Sequence, residues 1–288
     1  MSKFLLTTAV LAASAIHSAA LEDHHQHSHD QAAPTGQGDW LEPFEHVHFS
    51  KSGTPVVHSF GIEPALTGRD FFLSHRYRKG DGTHEHEIEA ELEWALTRRL
   101  GLIFELPYAY VDEESVGTSE GFGDLAIVPR ALVYESERFL LTAQVEVIAP
   151  TGDDEIGGET SIAPGFAAWL DLGNWWTLNS QASVEHVFAE DSSEFVFGFG
   201  LVKTFGKSGV ATHSHSHHSS VGLLNLHAEV AGTVGLNGDE KGRINAEGLL
   251  GISYGLSSRL DIRAAYEFPL TSPEDFDHGV VTGIIYHF

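Results

Sequence analysis

Cysteine is absent from all 288 residues. That excludes a lipid-anchored cysteine, a disulfide framework and every cysteine-based metal or catalytic site. Positive charge is scarce: 16 Lys and Arg stand against 41 Asp and Glu, a formal net charge of −25. A nucleic-acid partner would need the opposite sign, as would adsorption to an anionic lipid surface. The balance suits a protein that handles cations, or one that presents acidic loops. Beyond residue 20 no stretch approaches the ~18 consecutive apolar residues of a transmembrane helix. The His-Glu-x-x-His spacing of a metalloenzyme helix is missing. No cofactor is required by any motif, and no catalytic residue is assigned.

What is present begins with a secretory signal over residues 1–20. Met1, Ser2 and Lys3 carry one positive charge, residues 4–16 are apolar, and Ser18, Ala19 and Ala20 offer small residues for cleavage before Leu21. Residues 21–69 follow as a His-rich segment. Within it, residues 53–64 could form an inward plug or a periplasmic loop; an extra strand would spoil the even strand count. Residues 70–288 are long enough for one large domain.

That domain alternates polar and apolar residues in about twelve segments of roughly ten residues each. They span 70–78, 85–97, 102–111, 122–134, 139–149, 161–170, 175–188, 195–205, 222–234, 245–254, 259–270 and 278–288. Leu260, Ile262, Ala264, Tyr266 and Phe268 fall on one face, and Arg259, Asp261, Arg263 and Glu267 on the other. Leu224, Leu226, Ala228 and Val230 likewise oppose Asn225, His227 and Glu229. A chain in lipid without helices must close its sheet to satisfy its backbone. The expected fold is therefore all-β, an antiparallel transmembrane barrel of about twelve strands. Residues 85–100 also read as a helix, since Ile88, Leu92 and Leu96 are four apart, but Ile88, Ala90, Leu92 and Trp94 alternate strictly with glutamates. Pro107, Pro129, Pro164 and Pro269 lie in or beside these segments, where proline is disfavoured. Connections alternate between tight (98–101, 135–138, 171–174, 255–258) and longer acidic ones (112–121, 151–160, 189–194, 236–242, 271–277). Short periplasmic turns and long outward loops have that pattern.

The last segment resembles the closing strand of Gram-negative outer-membrane barrels. Gly283, Tyr286 and the terminal Phe288 match the signal that the barrel assembly machinery reads. The resemblance implies membrane lipid as surroundings and an outer-membrane address. With an even strand count, both termini are periplasmic after signal cleavage.

Glu85, Glu87, Glu89, Glu91 and Glu93 share one face of one strand, ~7 Å apart. Facing lipid they would be prohibitive, so they point into the lumen. Glu105, Asp124, Glu146, Glu185, Glu229 and Glu247 are expected there too, partly offset by Arg76, Arg78, Arg130 and Arg263. Such a lumen favours cations, or it is a wet interior whose charge pairs hold strands in register. His24, His25, His27 and His29 form one histidine tract, and His213, His215, His217 and His218 another. Imidazole suits Zn, Cu or Ni, while a solvated linker is the plainer reading. His84 and His86 read as loop histidines. His186 and His278 face lipid near loops, with no serine beside them in the sequence. Trp94, Trp169, Trp175, Trp176, Tyr108, Tyr110, Tyr266 and Phe268 suit interfacial girdles.

Gly121-Phe122-Gly123-Asp124 opens one segment, and Ala149-Pro150-Thr151-Gly152-Asp153 closes the next hairpin, followed by a Gly-rich stretch over 158–165. This pattern resembles the meta-pathway phenol-degradation-like outer-membrane barrels, over about residues 99–188. The resemblance implies a channel or uptake role for small molecules. Three readings remain open. The first is an outer-membrane channel or transporter for small solutes, with divalent transition-metal ions as cargo. The second is a non-conducting barrel that binds or senses metal through its histidines. The third is a lipid-modifying barrel enzyme.

Overall fold

The computed structural model describes residues 40–44, 48–206, 220–238, 240–272 and 276–288. Among them the regular elements are β1 (Arg69–Gly80), β2 (Thr83–Ala95), β3 (Leu100–Glu113), β4 (Gly117–Phe122), β5 (Leu125–Glu135), β6 (Phe139–Ala149) and β7 (Ser161–Gly173). The remainder are β8 (Trp176–Val187), β9 (Ser192–Phe205), β10 (Leu224–Gly235), β11 (Ile244–Ser257), β12 (Leu260–Pro269) and β13 (His278–His287). Apart from β4 and β5, successive strands pair antiparallel, and β13 returns to β1, with Asp70 opposite His287 and Lys79 opposite His278. β4 and β5 both pair with β3, so they are two lengths of one stave. The ring is a closed antiparallel barrel of twelve staves, the fold class the alternation predicts.

Closure follows from the pattern. Leu224, Leu226, Ala228 and Val230 are exposed while Asn225, His227 and Glu229 are buried. Around the ring Leu73, Ile88, Leu106, Phe166, Val184, Phe199, Leu250, Ile252 and Ile262 make an exposed apolar belt. A closed ring leaves no unpaired edge for lipid to meet. The helix reading of 85–100 fails for the same reason. As β2 the segment exchanges ladder bonds with both β1 and β3, whereas a helix would spread its glutamates around the axis and break the ring.

The prolines sit at gaps in the ladder. The β5–β6 register skips Val128 and Pro129, and the β7–β8 register skips Ala163 and Pro164. Pro107 faces the break between β4 and β5, where its carbonyl accepts the Gly123 N–H at 2.9 Å. Pro269 ends β12. A residue without an N–H is tolerated at such places.

Two aromatic and histidine assignments change. Trp169 is 0% exposed and points into the barrel, so it belongs to no girdle. It follows Ala163 and Ala167 on the inner face of β7. His84 and His86 lie within β2, not in a loop. There His84 Nδ1 is 2.9 Å from the Tyr77 hydroxyl, and His86 Nδ1 is 3.2 Å from His75 Nε2.

Candidate functional site: an acidic lumen around an inserted segment

The start of β1 and the end of β13 meet where the Phe288 N–H donates to the Arg69 carbonyl at 3.0 Å. From this terminus side residues 48–68 climb into the lumen and return. The climb begins where the Ser52 and Thr54 hydroxyls donate to Asp171 on β7, at 2.7 and 2.8 Å. At the top, Glu229 of β10 accepts the N–H groups of Phe60 and Gly61 at 3.0 to 3.1 Å. Gln181 of β8 accepts the Glu63 N–H at 2.7 Å. On the way down, Arg130 of β5 donates to the Pro64 carbonyl and Thr142 of β6 to the Ala65 carbonyl. Glu93 of β2 accepts the Gly68 N–H at 3.0 Å.

An irregular segment at this depth has no ladder, so every buried N–H and C=O needs another partner. The inward polar residues supply them. Arg263 donates to the Ser59 carbonyl at 2.9 Å, and Asn179 donates to the Val57 carbonyl and the Ser59 hydroxyl. Packing is as specific. Phe60 sits on Leu249, Ala265 and Val281, while Ala65 joins Leu132, Leu140 and Trp169. A Cβ added to Gly251 would lie 2.6 Å from the Phe60 ring, and one on Gly198 or Gly200 would lie 2.9 Å from Ile62. These glycines let the wall approach the segment.

The predicted acidic residues divide along the axis. Glu85 and Glu87 border a cavity of about 570 Å3 on the loop side, together with Asp124, Glu155, Glu159 and Glu185. Glu89, Glu91, Glu93 and Glu105 border a second cavity of about 170 Å3 against residues 58–64. Glu146 shares the inner face of β6 with Thr142, half-buried. Arg76 pairs with Glu87 at 3.1 Å and Glu267 at 3.2 Å, and Arg78 with Glu247 at 2.6 Å and Glu267 at 3.3 Å. Arg76 thus stands between the two cavities, paired with Glu87 of the first and bordering the second together with Arg263. Lower down, Arg130 and Arg263 serve the inserted segment.

Asp124 does something different from its neighbours on the inner face. Its two oxygens accept the N–H groups of Thr151, Gly152, Gly158 and Glu159 at 2.7 to 3.0 Å. Burial opposes its ionisation, but those four donors prevail and hold its pKa below the usual aspartate value. Asp153 reciprocates by accepting the Phe122 N–H at 2.8 Å. A Cβ on Gly152 would lie 2.7 Å from the Gly123 carbonyl carbon, so the two motifs close on each other as a clasp at the break between β4 and β5.

His24, His25, His27, His29, His213, His215, His217 and His218 lie outside the described residues. The β8–β9 register sets Ser193 opposite His186, with the hydroxyl 3.0 Å from Nδ1. The sequence placed no serine there, because the pairing crosses a loop. His278 sits in β13 opposite Lys79. Sequence reasoning also missed the cluster of His58, Asp70 and Glu93 where the segment meets the wall. Spacing holds no signal for it, since its members come from three separate elements.

No family model matches the chain, and no curated protein does either. Solved structures do. The KdgM porin aligns at a TM-score of 0.54 and 9% identity, over 76% of this chain and 99% of its own. An outer membrane channel from Pseudomonas putida F1 aligns at 0.52 and 12%, over 81% and 100%. The NanC porin aligns at 0.50 and 6%, over 76% and 99%. At such identities the likeness is one of fold, and the fold is that of outer-membrane barrels.

Proposed function

We propose that this chain is an outer-membrane channel for small solutes, with residues 48–68 inserted in its lumen, and that its cargo is cationic. The acidic face of β2 carries the reading. It runs without interruption from the loop-side cavity to the cavity against the segment, and a stripe of carboxylates lowers the barrier for cations and raises it for anions. Divalent transition-metal ions are the cargo we favour, because two histidine tracts adjoin this lumen in sequence.

Planar-bilayer recording of the chain with and without residues 40–68 tests the reading. Small or absent conductance in the full chain, and cation-selective steps in the shortened one, are expected. Anion selectivity in the shortened chain counts against it. Silence in both favours the second reading, a non-conducting barrel that binds or senses metal. The hydrogen bonds between the segment and the wall support that alternative.

A further inference from the structure

Three metal-ligating groups from distant parts of the chain meet where the inserted segment rests on the wall. His58 belongs to the segment, Asp70 to the start of β1 and Glu93 to the end of β2. One ligand atom from each lies within 4.8 Å of the other two. His58 Nε2 is 3.4 Å from Asp70 Oδ2, and His58 Nδ1 is 3.7 Å from Glu93 Oε1. Both gaps are longer than a good hydrogen bond. They are close to the spacing of neighbouring ligand atoms around a tetrahedral ion, about 3.4 Å for donors ~2.1 Å from the centre.

A second observation is independent of that spacing. The Glu93 side chain is 0% exposed, and its Oε1 has no hydrogen-bond partner; neither has His58 Nδ1. A buried carboxylate oxygen left bare is disfavoured unless something positive reaches it. The remaining oxygens of both carboxylates are already held. Asp70 Oδ1 is 2.7 Å from His287 Nδ1, whose ring nitrogen Nε2 is 3.3 Å from Asp261 Oδ2. Glu93 Oε2 accepts the Gly68 N–H at 3.0 Å. Each carboxylate is thus tied by one oxygen and turns the other toward His58. Outer partners orient metal ligands in this way.

We propose that His58, Asp70 and Glu93 form a divalent transition-metal site, and that the bound ion pins residues 48–68 to the barrel wall. One imidazole with two carboxylates suits zinc, manganese or ferrous ions better than calcium or magnesium, which take oxygen donors alone. A single ion takes one ring nitrogen, so the second carboxylate closes in by roughly an ångström to complete the set. The site borders the same cavity as Glu89 and Glu91, so an ion moving along the β2 stripe reaches it. That the pinned segment closes a conduction path rests on the channel reading above; the site itself does not.

The test uses the full chain with His24, His25, His27, His29, His213, His215, His217 and His218 all changed to Ser, which removes the two histidine tracts. In detergent this protein is expected to bind one zinc ion per chain by calorimetry. Cobalt(II) in its place is expected to give visible absorption. Glu93→Gln and Asp70→Asn are each expected to weaken zinc at least tenfold while heat-dependent gel migration shows the barrel intact. Zinc is expected to slow amide exchange across residues 48–68, and to lose that effect in Glu93→Gln. A protein that binds no zinc, or binds it undiminished in Glu93→Gln, overturns the site. Zinc binding without slower exchange overturns the pinning. Neither readout depends on conductance, so a silent bilayer experiment would sink the channel and leave this proposal standing.

Discussion

At the loop end of the lumen Glu85 and Glu87 border an open cavity of about 570 Å3. At the terminus end Glu93, on the same face of the same strand, is wholly buried against residues 48–68. The two ends share a residue type, a period and a strand. What separates them is what each carboxylate faces: water and arginine at one end, and a folded segment at the other. Alternation assigns a residue to a face. It carries no information about how the space in front of that face is filled.

The most direct way to break the comparison is to make both ends alike. Gly251→Phe puts a ring where a Cβ alone would already lie 2.6 Å from Phe60. The added ring competes with Phe60 for the same space against the wall, and the segment is expected to leave. Single-channel recording is expected to show conductance at least tenfold above the unmodified chain. Unchanged conductance with retained barrel stability would mean that the segment is not what fills the path.

A smaller effect is expected at Glu229. Its carboxylate accepts the N–H groups of half-buried Phe60 and exposed Gly61, and Glu229→Ala removes both bonds. A hydrogen bond to a charged group contributes about 1.5–3 kcal/mol. Amide exchange at residues 58–64 is therefore expected to speed up at least tenfold, while exchange in the strands stays as it was. Equal acceleration in strands and segment would show that the residue stabilises the barrel rather than the insertion.

The smallest effect concerns the loop end alone. The Asp124 pKa is depressed in the folded chain by four N–H donors. Its contribution is therefore fully present above the unfolded aspartate value, about 4, and is lost as pH falls through the lower folded value. Limited proteolysis is expected to cut residues 150–160 faster at pH 3 than at pH 6. Asp124→Asn should cut fast at both. No pH dependence in the unmodified chain would remove the clasp from the account of this loop.

Much of the barrel was legible because its signal is local. Leu224 through Val230 alternate, and each inward or outward assignment needs only the parity of its neighbours. The helical look of residues 85–100 was resolved by the same rule, since five glutamates at period two fit one strand face. Trp169 shows where local reasoning failed. Aromatic character near a strand end suggested a girdle, yet parity with Ala163 and Ala167 turns the ring inward, onto Ala65. Ser193 beside His186 was invisible because it depends on the register across the β8–β9 loop.

By itself the sequence determined a closed antiparallel sheet with an apolar exterior and a carboxylate-rich interior, because a two-residue period in lipid admits no other arrangement. For residues 53–64 it disfavoured an extra strand, which would spoil the even count, and left plug and loop open. Tertiary structure made that choice, and it also brought His58, Asp70 and Glu93 together. The physical reason is that both outcomes rest on hydrogen bonds and contacts between residues far apart in the chain, such as Phe60 with Glu229 and Asp70 with His287. Only a ring that has already closed holds those partners within reach.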